Sequence, residues 1–177
     1  MKREFFIHFA LWFWFFVLVS IVKGYIAIPF WPFWVGGLIG LALPDMDHLI
    51  HVFFVNSQDL TSQRVKYLLN KKDVKRAITL LYETREERKG LIFHSSIFQI
   101  VFLILTFWIT TSSGSIFGTG LVLSFSLHLL VDQLIDITET KSLDNWGSIF
   151  ATKMDSKMSW IYWGTGFLLL CIFGFLV

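Results

Sequence analysis

FFIHFALWFWFFVLVSIV, residues 5–22, carries one ionisable side chain, His8, in an otherwise apolar and aromatic run. As a helix rising ~1.5 Å per residue it is about 27 Å long, close to the ~30 Å hydrocarbon thickness of a bilayer. It follows Lys2 and Arg3, as the apolar region of a signal peptide would. It is long, however, heavy in aromatic residues, and has no A-x-A-like cleavage site, so it reads as an uncleaved membrane anchor.

The rest of the chain repeats this pattern. IPFWPFWVGGLIGLAL, residues 28–43, is a second apolar run. It is slightly short at about 24 Å, carries a small-residue face of Gly36, Gly37 and Gly40 suited to close helix packing, and ends at Pro44. Further runs cover 91–111, 116–137 and 160–177, with TTSSGS at 110–115 as a tight turn. Between them lie an apolar stub at 49–55, a polar stretch at 56–90 and another at 138–158. Within 56–90, Val74, Ile78, Leu81 and Tyr82 recur at helical spacing, which predicts one or two amphipathic helices against the membrane surface or the bundle. The expected fold is a single all-α membrane domain over 1–177, a polytopic bundle of about five transmembrane helices with a cytoplasmic helical insertion.

Composition agrees. Of 177 residues, 55% are hydrophobic and 18% aromatic, more apolar surface than a soluble domain of this length can hide. Cys171 is the only cysteine, which excludes an intrachain disulfide and a Cys-rich metal motif, so any metal must be held by His and carboxylates. A cytoplasmic N-terminus puts fourteen of the fifteen Lys and Arg residues on the cytoplasmic side and leaves only Lys23 outside, a strong positive-inside asymmetry. The basic 56–90 segment is then a contact for lipid headgroups, and no nucleic-acid partner is expected.

On this topology His8, the LPDMDHLIH stretch at 43–51, His94, His128, Asp132 and Asp136 all fall at the cytoplasmic end. An Asp at the centre of a membrane helix costs roughly 2.5–3.5 kcal/mol, so such groups usually persist for a reason. His128 and Asp132 are i, i+4 and share a helix face, a spacing that suits two ligands of one ion or a ligand and its orienting carboxylate. Pro44 breaks the second run and frees the backbone around Asp45 and Asp47. Asp45, Asp47, His48, His94, His128 and Asp132 are the candidate metal ligands. His and carboxylate donors suit Zn²⁺, Mn²⁺ or Fe, and the set alone does not choose among them.

Plainer readings stand beside these. Asp45 and Asp47 can cap a helix at the interface. His94 with Ser95 and Ser96 can serve as interhelical hydrogen-bonding groups. A lone His8 near a membrane surface reads more readily as an interfacial side chain than as a ligand, and His51 and Asp136 are expected outside the ligand set.

PDMDH at 44–48, GLIFHSS at 90–96 and HLLVD at 128–132 together resemble the motifs of the YdjM-like family of inner-membrane-associated, metal-dependent hydrolases. In that family an N-terminal His is followed by PDIDH, HRGxTHS and H-x-x-x-D. Here His8 fits the first position loosely, His94 and Ser95 fit the end of the middle motif, and the first His of that motif is replaced by Lys89 or its neighbours. The resemblance covers about residues 5–136. It implies location in the inner membrane and a link to the all-helical fold of zinc-dependent phospholipases C, with Zn²⁺ as the expected ion. It also implies hydrolysis at the cytoplasmic face of a phosphoester or phospholipid headgroup. On that reading Asp47 and His94 are the candidate catalytic residues, and Arg88 and Lys89 the candidates for holding an anionic substrate group. A metal-ion or proton transporter and a non-catalytic scaffold with a degenerate site remain open alternatives. Against transport, the outer halves of the spans hold no acid, imidazole or base to continue a path.

Overall fold

A computed structural model describes residues 2–84, 88, 90–146 and 154–176. All regular structure among them is helical. The α-helices are α1 (Lys2–Lys23), α2 (Trp31–Ala42), α3 (Met46–Ile50), α4 (Leu60–Asn70), α5 (Val74–Glu83), α6 (Ser96–Ser112), α7 (Ile116–Thr140) and α8 (Ser156–Cys171). A 3₁₀ turn, Ile28–Phe30, leads into α2, and π-helical turns extend α3 over His51–Val55 and α8 over Ile172–Leu176. Lys89 and residues 147–153 lie outside the described residues.

Helix ends follow side-chain chemistry. Asp59, Asp73, Ser95, Ser115 and Asp155 each accept a hydrogen bond from a backbone N–H in the first turn of the helix they precede, pairing donors that the helix itself leaves open. α7 stops at Lys141, whose φ of 64° no helix can continue through.

α7 is the centre of the bundle. Its apolar window is 83% buried, against 33% for α1 and 28% for α8, and α1, α2, α6 and α8 all pack on it. One core joins Phe16, Val19, Phe33, Leu123, Leu130 and Leu170 across α1, α2, α7 and α8, and a small separate core of Val52, Val65 and Ala77 holds α4 and α5 to the π turn after α3. Facing outward are Phe6, Trp14, Ile21, Ile104, Trp108 and Leu168, large apolar side chains each at least 59% exposed. Such a surface is stable only with hydrocarbon as its solvent.

α2 and α7 approach to backbone contact. A Cβ at Gly36 would run into the carbonyl oxygen of Phe117, one at Gly40 into that of Leu121, and one at Gly120 into that of Phe33. Of the small-residue face anticipated from the sequence, Gly36 and Gly40 form the α2–α7 interface, while Gly37 packs against the Phe16 ring of α1.

Helices α1, α7 and α8 are long and apolar enough to cross a membrane, and a fourth crossing is available if Ile28–Ala42 and Met46–Val55, bent by 41°, form one span. Several helices can thus span a bilayer, which points to a membrane protein. α6 is apolar but shorter, at 17 residues. The second run ends its helix at Ala42, beside Pro44 as expected, and after a turn the chain resumes as α3 and carries the stub at 49–55 into the π turn. One boundary differs from the sequence expectation. The third run does not begin as helix at 91, because the backbone N–H groups of Ile92, Phe93 and His94 are taken by the carboxylate of Asp47, and α6 starts only at Ser96.

Candidate metal centre

The start of α1, the end of α2, the loop before α6 and the C-terminal half of α7 meet at one end of the bundle, around Asp132. Asp132 is 4% exposed. Three imidazole Nε2 atoms surround its carboxylate: His8 at 3.3 Å from Oδ1, and His94 and His128 each at 3.1 Å from Oδ2.

Each ring is held from behind through Nδ1. His128 Nδ1 donates to the carbonyl oxygen of Leu41 at 2.7 Å. Leu41 lies in the last turn of α2, where carbonyls have no intrahelical partner, and the glycine-lined contact brings that turn against α7. His8 Nδ1 donates to the carbonyl oxygen of Glu4, one turn earlier in α1, at 3.0 Å. His94 Nδ1 donates to Asp47 Oδ2 at 3.1 Å.

These partners settle the tautomers. Carbonyl and carboxylate oxygens only accept, so Nδ1 carries the hydrogen in all three rings, and in a neutral imidazole Nε2 is then an acceptor. Three such acceptors aimed at a buried carboxylate, itself an acceptor, require a cation among them, either protons on the rings or a metal ion. His8 Nε2 is buried and makes no hydrogen bond despite its position beside Asp132. Imidazoles fixed through Nδ1 by carbonyl or carboxylate are the arrangement in which histidines ligate metals. His8, His128 and Asp132, all buried, each offer a ligand atom within 4.8 Å of the others, and this group could hold a metal ion. His94 Nε2 meets the same carboxylate at 3.1 Å but stands outside that group of mutually close ligand atoms.

The remaining sequence candidates occupy other places. Asp45 Oδ1 is 3.7 Å from His128 Nε2, and its side chain is 69% exposed, at the rim of the cluster. Asp47 is 1% exposed; its two oxygens accept from Ile92 N at 3.1 Å, Phe93 N at 2.6 Å and His94 N at 3.2 Å, besides His94 Nδ1. With those bonds made, it sits behind His94 rather than facing Asp132. His48 turns away from Asp132: its Nδ1 accepts from Arg88 Nε at 3.1 Å, and its ring stacks on His94 with centroids 5.5 Å apart. Asp136 accepts from the Trp146 indole at 2.7 Å, and His51 is buried but not part of the His8–His128–Asp132 group. The proposed role of Lys89 falls outside the described residues.

His8 is the residue that sequence reasoning passed over as a ligand. An isolated imidazole in an apolar run gives no spacing to read; its depth of one turn inside the first span was the available signal.

A polar cavity of about 260 Å³ opens beside the cluster. His94 lines it together with Glu4, His48, Arg88, Asp136 and Trp146. Arg88 is 8% exposed and is anchored by Thr84 Oγ1 at 2.9 Å and by the carbonyl oxygen of Leu81.

Comparison of the chain with protein-family models, with curated proteins and with solved structures finds no match.

Proposed function

We propose that this protein is a metal-dependent hydrolase of the inner membrane, working at the cytoplasmic face on a phosphoester or a phospholipid headgroup. The observation that carries the metal reading is the convergence of three Nδ1-anchored imidazoles, His8, His94 and His128, on the buried carboxylate of Asp132. The step from a metal site to hydrolysis rests on the motif resemblance and on the polar cavity that meets the cluster at His94. In this reading α1, the bent pair α2–α3, α6, α7 and α8 are five crossings, α4 and α5 lie on the cytoplasmic side, and the N-terminus is cytoplasmic; the Lys and Arg distribution supports this orientation.

His8, His94, His128 and Asp132 would hold the ion, with Asp45 at the open edge. An imidazole-rich set with one carboxylate suits Zn²⁺ best, with Mn²⁺ or Fe as alternatives. Such an ion supplies Lewis acidity and brings the pKa of a water toward neutrality. The chain's own groups do the rest. Asp47 fixes the tautomer and direction of His94. Arg88, held by His48, Thr84 and Leu81, lines the cavity beside the carboxylates of Glu4, Glu83, Asp136 and Glu139 and is the group that would meet an anionic substrate. The cavity gives water and substrate access from the cytoplasm, while the apolar bundle closes the opposite side.

The test is hydrolysis by detergent-purified protein across a phosphodiester, phosphomonoester and phospholipid panel, before and after chelation and with Zn²⁺ or Mn²⁺ restored. Metal-restored turnover of at least one phosphoester is expected. A metal-replete protein inert on the whole panel would overturn the hydrolase reading.

A further inference from the structure

A second cavity lies away from the metal cluster. A groove of about 520 Å³ runs between α6 and α8. Both helices pack on α7, and α6 also meets the π turn Ile172–Leu176 that follows α8. The walls include Leu103, Ile104, Phe107, Ile161, Leu169 and Phe173.

The polar groups on its floor are spent on one another. Gln99 Nε2 donates to Gln133 Oε1 at 3.3 Å, Gln133 Nε2 donates back to Gln99 Oε1 at 2.7 Å, and the Tyr162 hydroxyl donates to the same Gln99 oxygen at 2.7 Å. Both amides are buried. Water gains nothing in such a space, because an ordered water needs two to four polar partners. A single hydrocarbon chain is slim, flexible and already the solvent on the open side of these two helices.

We propose that the α6–α8 groove binds one acyl tail of a membrane phospholipid, lying lengthwise with its headgroup toward Gln99 and Met158, at the end of the bundle that carries His94. The proposal rests on the membrane-spanning reading and not on hydrolysis. A tail seated there holds a phospholipid beside the metal cluster for longer than free diffusion in the bilayer allows.

The experiment places the full chain in vesicles of phosphatidylethanolamine and phosphatidylglycerol doped with a phospholipid carrying a mid-chain diazirine. Adducts after illumination are mapped by peptide mass spectrometry. Expected are adducts on Leu103, Phe107 and Leu169 several-fold above those on Phe6, Trp14 and Ile21, which face outward on α1. Thr165→Trp, which fills the groove from α8, should remove the excess and leave the α1 adducts unchanged, while Leu18→Trp on α1 should leave the excess intact. Even labelling of all outward residues would overturn the proposal, since the groove would then be ordinary annular surface. So would labelling of α1 with none in the groove, since a protein segment or a second copy would then fill it. Neither result bears on turnover of soluble phosphodiesters, which tests the hydrolase reading separately.

Discussion

Asp47 Oδ2 and His94 Nδ1 lie 3.1 Å apart, and the same carboxylate accepts the backbone N–H groups of Ile92, Phe93 and His94. One buried side chain therefore shapes the loop that delivers His94 and sets that ring's tautomer. In Asp47→Asn the amide nitrogen would face donors, leaving at least one buried N–H unpaired at a cost of about 1–3 kcal/mol. Metal affinity should fall about 10–100-fold, as when the carboxylate behind a ligating imidazole is removed. A chelator-competition titration beside a thermal melt measures both. Unchanged affinity would mean that His94 is not a ligand.

The contact of α2 with α7 should control the metal cluster from a distance. Gly40→Val pushes a side chain into the Leu121 carbonyl and draws the Leu41 carbonyl away from His128 Nδ1. Overpacking of this kind costs about 1–3 kcal/mol, and the freed His128 ring should bind metal more weakly. Gly164→Ala, where an added Cβ meets nothing within 4 Å, is the matched control and should change neither property. Thermal stability and metal affinity of the two variants, compared in one detergent, check this.

Metal binding should expel protons. An imidazole must be neutral to ligate, so protons compete with the ion at low pH and the affinity should rise as the pH is raised from acid toward neutrality and slightly beyond. Calorimetric titrations in two buffers of different ionisation enthalpy report the protons released. A pH-independent affinity with no proton release would exclude imidazole ligands.

Arg88 should act on substrate and not on the metal. Arg88→Met keeps much of the apolar stem and removes the charge, so hydrolysis of an anionic phosphoester should drop at least tenfold in kcat/KM, about 1.4 kcal/mol of lost stabilisation. Metal stoichiometry should stay at the wild-type value. Loss of metal together with activity would reassign Arg88 to the architecture of the loop.

The all-helical, membrane-type fold was legible because run length and apolar content report directly on hydrocarbon as solvent. His128 and Asp132 were legible because an i, i+4 pair needs no tertiary information. His8 was not, since its partners are its own helix backbone at Glu4 and a carboxylate 124 residues away, and neither leaves a pattern in the chain. His48 shows the converse. PDMDH puts it beside Asp47 in sequence, yet on α3 Asp47 accepts from His94 Nδ1, while His48 accepts from Arg88 and only stacks on the His94 ring. The late start of α6 has the same origin, because a carboxylate from another helix claims the backbone that apolar content alone assigned to a span.

Imidazole ligation beside Asp132 is tested most directly by zinc K-edge X-ray absorption of the purified, zinc-loaded protein. The prediction is a first coordination shell of nitrogen and oxygen at about 2.0–2.1 Å, with outer scattering from three imidazole rings that falls to two in His8→Ala and in His128→Ala. A zinc-loaded protein without imidazole scattering, or one whose spectrum is the same in wild type and His8→Ala, would contradict it.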